Sequence, residues 1–254
     1  MYKQLHAAQL TVYPVRPMRI LSVAIFSALA TFVVAAPREV PGVTEPFMDV
    51  VLSSSVQGQI GAERFKEGES VKAGDVILEL DSSLEAMETE RRKLVAERTK
   101  SDFDATQVLF EKTKAVSKDE LDKKRTEAAV AAAEHGIAQE QLRRRRIVAP
   151  FAGTIVEIFL QAGASCEPYK PLVRLVDTSK AFFVGHVDGS LASDLKVGQE
   201  VKLEVAGLKE SVKAVIALTA PVVDQASGLA RVKAVFDNAS GKVRPGLAAK
   251  MIIE

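Results

Sequence analysis

Tryptophan is absent from this 254-residue chain, and aromatic residues make up only 6% of it. Hydrophobic residues still account for 47%, so any core has to be built mainly from aliphatic side chains. The single cysteine, Cys166, excludes an intrachain disulfide and a multi-cysteine zinc or iron–sulfur site. Lysine and arginine total 34 against 33 acidic residues, so the basic excess typical of nucleic-acid binding is lacking. We therefore expect no nucleic-acid partner.

Patterns that carry catalytic or metal chemistry are also lacking. No nucleophile–base pair, phosphate-binding loop or paired-carboxylate pattern stands out. His135 falls on a predicted helix without a ligand four residues away, and His186 falls on a predicted strand, so packing or surface roles are expected. Met48, Met87 and Met251 are far apart, whereas a soft-metal site needs several sulfur ligands together. The sequence predicts no enzyme, no cofactor and no metal site.

One long hydrophobic run occurs near the N-terminus, at residues 20–36. It contains no charged residue, follows Arg16 and Arg19, and ends in two alanines of the kind found before a signal-peptide cleavage site. At about 17 residues, it is at the lower limit for spanning a bilayer. We predict a cleaved signal peptide or a retained anchor over residues 1–36, and export in either case. A start at Met18 would make the signal more compact.

Two later segments resemble each other in sequence, and they align when Gly58 of the first is placed on Gly153 of the second. They cover residues 56–81 and 148–177. The identical pairs are Gly58 and Gly153, Ile60 and Ile155, Gly68 and Gly163, Ser70 and Ser165, and Leu80 and Leu175. Both segments alternate apolar and polar residues between turn glycines, which is typical of half-buried strands. We predict that 55–81 and 147–178 form a β-sandwich with pseudo-two-fold symmetry.

The segment between the two copies, residues 82–146, has a different composition. It contains no proline and one glycine, and it is rich in residues that favour helices. Capping boxes at Ser82 with Glu85 and at Ser117 with Glu120 predict two helix starts. A seven-residue repeat gives the second helix one contact face, with Ala131 and Ala138 beside it: Leu121, Ala128, His135 and Leu142. The apolar positions expected to face it from the first helix are Leu84, Met87, Leu94, Phe103 and Phe110. We predict an antiparallel coiled-coil hairpin.

The C-terminal part of the chain, residues 179–254, contains about five short runs of β-type sequence. The runs are AFFVGHV, QEVKLEV, SVKAVIAL, ARVKAVF and AAKMIIE, with Gly, Asp, Asn and Pro between them. This spacing predicts a small β-barrel. Residues 37–54 end in a further β-type run and are expected to join the barrel. The predicted fold class is mainly β with an inserted α-helical hairpin.

This order of parts resembles the membrane fusion proteins, the periplasmic adaptors of efflux and secretion systems. Residues 147–153 (IVAPFAG) are similar to the family's sequence after its hairpin. Residues 196–199 (KVGQ), 220–224 (APVVD), 235–238 (VFDN) and 244–247 (RPGL) resemble its barrel. The resemblance to RND-type, HlyD-like members implies a lipoyl-like split sandwich, a coiled-coil hairpin and a barrel.

The resemblance also implies a function. It is that of a periplasmic adaptor, associated with the inner membrane, that connects an inner-membrane transporter to an outer-membrane channel. An RND-type transporter is favoured, and a homo-oligomeric ring is implied, with no cofactor and no enzymatic activity. An adaptor of an ABC-type exporter or secretion system stays open as an alternative, as does a periplasmic scaffold or binding protein.

The turn of the hairpin is the candidate docking site for the channel. Its residues are Lys114, Val116, Ser117 and Lys118. Val116 is expected to be exposed because a hairpin end has no core to pack on. In resistance-type relatives the tip carries an arginine, a leucine and a serine, and here Thr106, Phe110 and Ser117 take those places. Only Ser117 matches.

Three further features have simple interpretations. Cys166 aligns with Val71 in the repeat, so we expect a small buried hydrophobic residue. The sequence EAME at 85–88 resembles a biotin attachment site but lacks the lysine, so a carrier function is not expected. Residues 143–146 are four arginines and are expected to form a solvated helix end, with a contact to anionic lipid or a neighbouring subunit as the alternative.

Overall fold

The computed structural model describes residues 38–253 of the chain. The predicted targeting segment at residues 1–36 and the alternative start at Met18 lie outside the described residues. Within residues 38–253, no helix combines the length and the hydropathy needed to span a bilayer.

The described residues form strands and helices in the order that the sequence predicts. The strands are β1 (Arg38–Ser53), β2 (Gly58–Glu63), β3 (Ser70–Val71), β4 (Val76–Leu80), β5 (Arg146–Val148), β6 (Gly153–Ile158), β7 (Ser165–Cys166), β8 (Pro171–Asp188), β9 (Glu200–Val205), β10 (Val212–Thr219), β11 (Leu229–Asp237) and β12 (Ala248–Ile253). The helices are α1 (Ser83–Thr113), α2 (Lys118–Arg143) and α3 (Gly189–Asp194).

The two repeat segments pack as two sheets around one aliphatic core. Strands β5, β4, β2 and β7 form one sheet, and β3 and β6 pair alongside the first half of β8 in the other. Ile60, Ile77, Ile155 and Leu172, which come from both sheets, are almost fully buried in this core. Because Cys166 lies in the same core and is buried, its predicted role as a small hydrophobic residue is confirmed.

The pairing of these strands has the predicted two-fold pseudo-symmetry. Gly58 pairs with Cys166, and their counterparts in the other copy, Gly153 and Val71, also pair. The backbone bonds follow the same rule: Ile60 N donates to Ala164 O at 2.9 Å, and Ile155 N donates to Glu69 O at 3.0 Å. Each half of the repeat therefore supplies strands that pair with strands of the other half.

One turn breaks this symmetry. Gly74 has a φ of 92°, and the residue in the equivalent place of the second copy is Tyr169, with a φ of 63°. The left-handed region suits glycine, whereas a bulky side chain there is strained. A backbone hydrogen bond holds this turn, in which Tyr169 N donates to Ser54 O at 2.7 Å. The equivalent bond in the first copy runs from Gly74 N to Ala149 O at 2.9 Å.

Six strands close into a barrel in the C-terminal part. The order β1-β12-β9-β10-β11-β8 is closed by pairing between β1 and β8. The five strands predicted from residue 181 onward are confirmed, and β1 is the sixth. Strand β1 begins at Arg38 and runs through two prolines, since Pro41 lies opposite Lys250 and Pro46 lies opposite Ala181. Phe183, among the residues of the barrel core, is fully buried.

Strands β1 and β8 continue from the barrel into the sandwich, and their pairing is irregular where the two bodies meet. Met48 pairs with Asp177 and Pro46 with Ala181, so the three residues between Asp177 and Ala181 bulge out of the ladder. The buried Asn238 holds this bulge: its side-chain amide donates to Thr178 O at 3.0 Å and to Val243 O at 2.8 Å. Its backbone N–H donates to Ser179 O at 2.9 Å.

Helices α1 and α2 run antiparallel and form what is called here the helix pair. The Thr89 hydroxyl of α1 donates to Ala138 O of α2 at 3.1 Å, and Arg92 forms an ion pair with Glu134. In α1, all of which the structure describes, no residue is buried, and in α2 only Leu121, Ala131 and Ala138 are. The contact between the helices is thus narrow and uses small residues on the α2 side.

The capping prediction is correct for α2 and wrong for α1. Ser117 Oγ accepts from Glu120 N at 3.1 Å, as predicted. Ser82, which lies within the described range, makes no side-chain capping bond, because its φ of −127° and ψ of 16° turn it away from the first turn. Asp81 takes its place: Oδ1 accepts from Ser83 N at 3.1 Å and from Ser83 Oγ at 2.7 Å, which holds the pKa of Asp81 below its usual value.

Candidate functional site

The turn between the helices is tightly built. Helix α1 ends at Thr113, whose hydroxyl donates to Leu109 O at 2.7 Å. Lys114 then adopts a left-handed conformation with a φ of 53°, which reverses the chain. Its ammonium nitrogen lies 4.7 Å from the centroid of the Phe110 ring, a cation–π contact that covers the end of the helix.

Ser117 and Lys118 complete the turn from the other side. Ser117 is extended, with a φ of −77° and a ψ of 159°, and its side-chain oxygen caps α2. Both residues are exposed. The Ser117 oxygen accepts a bond from inside the molecule, while its hydroxyl hydrogen can still donate outward. Ser117, which was predicted from the sequence, therefore caps α2 and also presents a hydroxyl group at the tip.

Val116 corrects the expectation of an exposed valine at the tip. It is only partly exposed, in the turn that follows the left-handed Lys114. The large apolar residues that are exposed near the tip are instead Val108 and Leu109, in the last two turns of α1. The predicted contact face of α1 is corrected as well, because three of its residues are exposed: Leu84, Met87 and Leu94.

Ion pairs line the surface of the helix pair. Arg91 and Arg92 both donate to Glu88, at 2.7 Å, and these bonds lower the pKa of that carboxyl to about 2. Arg143 and Arg144 hold Glu140 in the same way, with its pKa also at about 2. The two carboxylates therefore stay charged at any physiological pH, and their ion pairs keep this surface of the helices polar.

The arginine run at the base of the helix pair does not act as one solvated patch. Arg143 and Arg144 are solvated, as expected. Arg145 is different: it is mostly buried, forms an ion pair with Glu85 and donates to Gln57 O at 2.9 Å. Arg146 already belongs to strand β5. The run was predicted as a single helix end, and the structure corrects this because the chain turns into the sandwich at Arg145.

Among the described residues, the histidines are His135 and His186, and they lie on different elements. His186 is exposed on β8, opposite Arg231, as expected for a surface residue. His135 is half-buried between the helices, and its Nε2 atom has no hydrogen-bond partner among the described residues. Across residues 38–253, no three His, Cys, Asp or Glu side chains come together in an arrangement that could hold a metal ion.

A β-sandwich interrupted by a long helix pair and followed by a six-stranded barrel is an architecture of adaptor subunits. Residues 49–178 match the family model for the barrel-sandwich hybrid domain of RND membrane fusion proteins, and residues 184–254 match that for the CusB-like β-barrel domain. The chain belongs to the membrane fusion protein family. Members of this family are periplasmic, non-enzymatic adaptors of efflux systems that interact with transporters and outer-membrane channels.

Individual proteins show the same likeness. An uncharacterized protein of Haemophilus influenzae is 29% identical over 84% of this chain and 56% of its own length. The uncharacterized protein YdhJ of Escherichia coli is 25% identical over 61% of this chain and 58% of its own length. The chain thus spans little more than half the length of these curated relatives.

Solved structures agree on the fold. A MacA–MexA chimera that contains the Pseudomonas aeruginosa MexA α-hairpin matches with a TM-score of 0.74 at 20% identity, over 86% of this chain and 78% of that one. The membrane fusion protein Spr0693 of Streptococcus pneumoniae matches with a TM-score of 0.67 at 18% identity, over 85% of this chain and 99% of that one. At these identities the likeness concerns the fold alone.

Proposed function

We propose that this protein is the adaptor of a tripartite efflux system that connects an inner-membrane transporter of the RND type to an outer-membrane channel. The observation that carries the proposal is that two successive parts of the chain match domain models of RND-associated adaptors and CusB-like barrels. An adaptor role without enzymatic activity is also consistent with the main features of the described residues, which are a long helix pair and a closed barrel.

The proposal assigns a role to each part of the chain. The parts are a signal peptide or anchor (1–36), a β segment that joins the barrel (37–54), a lipoyl-like sandwich (55–81 and 147–178), a coiled-coil hairpin (82–146) and the barrel (179–254). The hairpin extends toward the channel, the sandwich packs into a homo-oligomeric ring, and the barrel faces the transporter. A single copy cannot enclose a conduit, so a closed ring is the expected assembly.

The tip of the hairpin is proposed as the docking site for the channel, through Lys114, Val116, Ser117 and Lys118. Two features support this. A helix of 31 residues extends about 45 Å, at 1.5 Å per residue, so the tip stands far from the sandwich. The cap at Ser117 and the Lys114–Phe110 contact restrain the tip, which lowers the entropy lost on docking.

Photo-crosslinking in intact cells tests the proposal. A crosslinking amino acid would be placed at Lys118 (tip), at Val222 (barrel) and, as a control, at Lys66 on a sandwich turn, all of which are exposed. We expect the tip to capture an outer-membrane channel and the barrel to capture an inner-membrane transporter. Capture of an ATP-binding transporter at Val222 would replace the RND assignment, and a tip that captures no outer-membrane protein would contradict the bridging role.

A further inference from the structure

Arg145 connects three segments of the chain at the base of the helix pair. It directly follows the C-cap residue of α2, and its two terminal nitrogens reach two other segments. Nη2 forms an ion pair with Glu85 in the first turn of α1, and Nη1 donates to Gln57 O at 2.9 Å. The planar guanidinium fixes the angle between these two bonds, which the single ammonium group of a lysine would not do.

The burial of this contact sets Arg145 apart from the other arginines of its run. The side chains of Arg145 and Glu85 are each 21% exposed, whereas that of Arg143, which pairs within its own helix, is 70% exposed. Bonds from Ser83 lower the pKa of Asp81, the residue that caps α1, and the charge of Arg145 adds to this effect. The guanidinium therefore faces the start of α1 rather than the solvent.

Gly58 provides the space in which the guanidinium lies. A Cβ added at Gly58 would come within 2.7 Å of Arg145 Nη1, so a side chain at this position would exclude the guanidinium. Gly58 does not have the positive φ that would by itself require glycine. Its counterpart in the repeat is Gly153, where Val176 O fills the corresponding space, at 2.6 Å from an added Cβ. The glycine is thus common to both copies, and the group that it accommodates differs.

The contacts of Arg145 add to the backbone connections at the base. The two chain connections of the helix pair come from β4 and β5, which pair with each other, and Asp81 N donates to Gln59 O at 2.8 Å in the same sheet. Connections through a single sheet leave the helices free to swing perpendicular to that sheet. Gln57 lies on the segment that crosses from β1 in one sheet to β2 in the other. A bond to this segment restricts the swing.

We propose that Arg145 is a positioning residue that sets the direction of the helix pair relative to the sandwich, with Gly58 providing the space that it requires. A helix of 31 residues extends about 45 Å, so a change of about 10° at the base would move the tip by about 8 Å. That displacement is larger than the roughly 3 Å over which a hydrogen bond forms, so contacts made by the tip would be lost. The consequence for docking rests on the proposed function.

Distance measurements between spin labels on full-length protein test the proposal. Labels would be placed at Lys118 on the tip and, in separate samples, at Lys66 or Lys170 on two exposed turns of the sandwich, because a single distance could miss a swing. The buried Cys166 would be replaced by alanine, and unlabelled protein would be added in excess so that distances within one copy are measured. We expect narrow distributions in this background, and distributions broadened by about 8 Å in Arg145→Gln.

Gly58→Ala breaks the same contact without removing a charge. The added methyl group would displace the guanidinium, which is the flexible end of a long side chain, so we expect the same broadening. Gly61→Ala is the matched control in the same strand, because the nearest atom to a Cβ there is 3.4 Å away. Arg143→Gln is the control for removing an arginine. Arg145→Lys keeps a charge near Glu85 without the second bond, so its distribution should be intermediate.

Three results would overturn the proposal. Unchanged distributions in both Arg145→Gln and Gly58→Ala would show that the backbone connections alone set the direction. Equal broadening in Gly61→Ala or Arg143→Gln would show a general loosening of the base. Helix content should stay at the level of the unsubstituted protein in Arg145→Gln, because the contact lies at the base; a loss of helix by circular dichroism would assign Arg145 to helix stability instead of direction.

The outcome is separable from that of the proposed function. If a crosslinker at Lys118 captures no channel in the unsubstituted protein, the adaptor role is wrong, and the measured distances still decide the role of Arg145. If a channel is captured, the yield should fall in Arg145→Gln and in Gly58→Ala and should stay unchanged in Arg143→Gln. An undiminished yield in variants with broadened distances would overturn the consequence for docking.

Discussion

The barrel and the helix pair place their hydrophobic residues in opposite ways. In the barrel, eighteen buried residues form one core that includes Phe183, Leu203, Ile216 and Met251. In the helix pair, three residues of α2 and none of α1 are buried in the described chain, and large apolar residues such as Leu94 and Ile137 stay in solvent. The barrel is stabilised by its own interior, whereas the large apolar residues of the helix pair lie mostly at its surface.

The energies of the two regions differ for the same reason. Burying one large aliphatic or aromatic side chain contributes about 1.5–3 kcal/mol, while an exposed ion pair contributes about 0.2–1 kcal/mol. The helix pair depends on caps, exposed ion pairs and its attachment to the sandwich at Arg145. The comparison teaches that a region can be regular in secondary structure without burying a core of its own.

The largest expected effect is the difference in unfolding free energy between truncating a core residue of the barrel and truncating an apolar residue of the helix pair. Phe183→Ala should lower the free energy of unfolding by about 3–5 kcal/mol, because it leaves a cavity in a closed core. Leu94→Ala, at an exposed position, should change it by less than about 0.5 kcal/mol. Urea unfolding of monomeric protein, followed by circular dichroism, measures both. Equal losses would show that the helix pair is stabilised by its own core.

The next effect concerns the junction of barrel and sandwich. Asn238→Ala should cost about 2–3 kcal/mol, since Val243 N and the Thr178 and Val243 carbonyls lose a buried partner. It should also broaden the distances between spin labels on the barrel and on the sandwich. Asp237→Ala, at the exposed neighbouring position, is the control. A narrow distance distribution in the Asn238 variant would show that the two long strands alone hold the junction.

A smaller effect separates the two helix starts. Ser117→Ala should destabilise the start of α2 by about 1 kcal/mol, because it removes the bond from Glu120 N. Ser82→Ala should change stability by no more than a few tenths of a kcal/mol, about the effect of an ordinary surface substitution, since Asp81 makes the capping bonds there. Hydrogen exchange of the first-turn amides measures each start. Equal protection losses in the two variants would contradict this assignment.

The smallest effect is a pH dependence confined to the helix pair. Bonds to arginines lower the pKa of Glu88 and of Glu140 to about 2, from about 4.5 in the unfolded chain. A lowered pKa in the folded state means that the stabilisation is present above about pH 4.5 and is lost as the pH falls toward 2. Helix content should decline over that range, and Glu88→Gln/Glu140→Gln should flatten the decline. An unchanged profile in the double variant would assign the transition to other carboxylates.

Much of this architecture was predictable because its signals are local and periodic. Alternation predicted the five C-terminal strands, and helix-favouring composition predicted the helix pair. The repeat predicted the symmetry of the sandwich, down to the equivalence of Cys166 and Val71. The cap at Ser117 followed from a motif contained in four residues, so it needed no information from the rest of the molecule.

The errors at the two ends of the helix pair have a common cause. Val116 was expected to be exposed, but it is only partly exposed in the turn that follows the left-handed Lys114. Ser82 was expected to cap α1, but Asp81, the residue before it, makes the bonds there. Arg145 was expected at a solvated helix end, but it contacts Glu85 and Gln57. Each of these depends on the direction of the chain at a turn, which a pattern of residue types does not contain.

By itself, the sequence determined the kind and order of the elements, because hydrophobic periods of two and of 3.6 residues are properties of the chain alone. Only the tertiary structure decided that β1 and β8 run through both β bodies and that Asn238 holds their junction. It alone also decided that apolar residues such as Leu94 face outward. Those features depend on residues far apart in the chain meeting in space, and the burial that stabilises them exists only after folding.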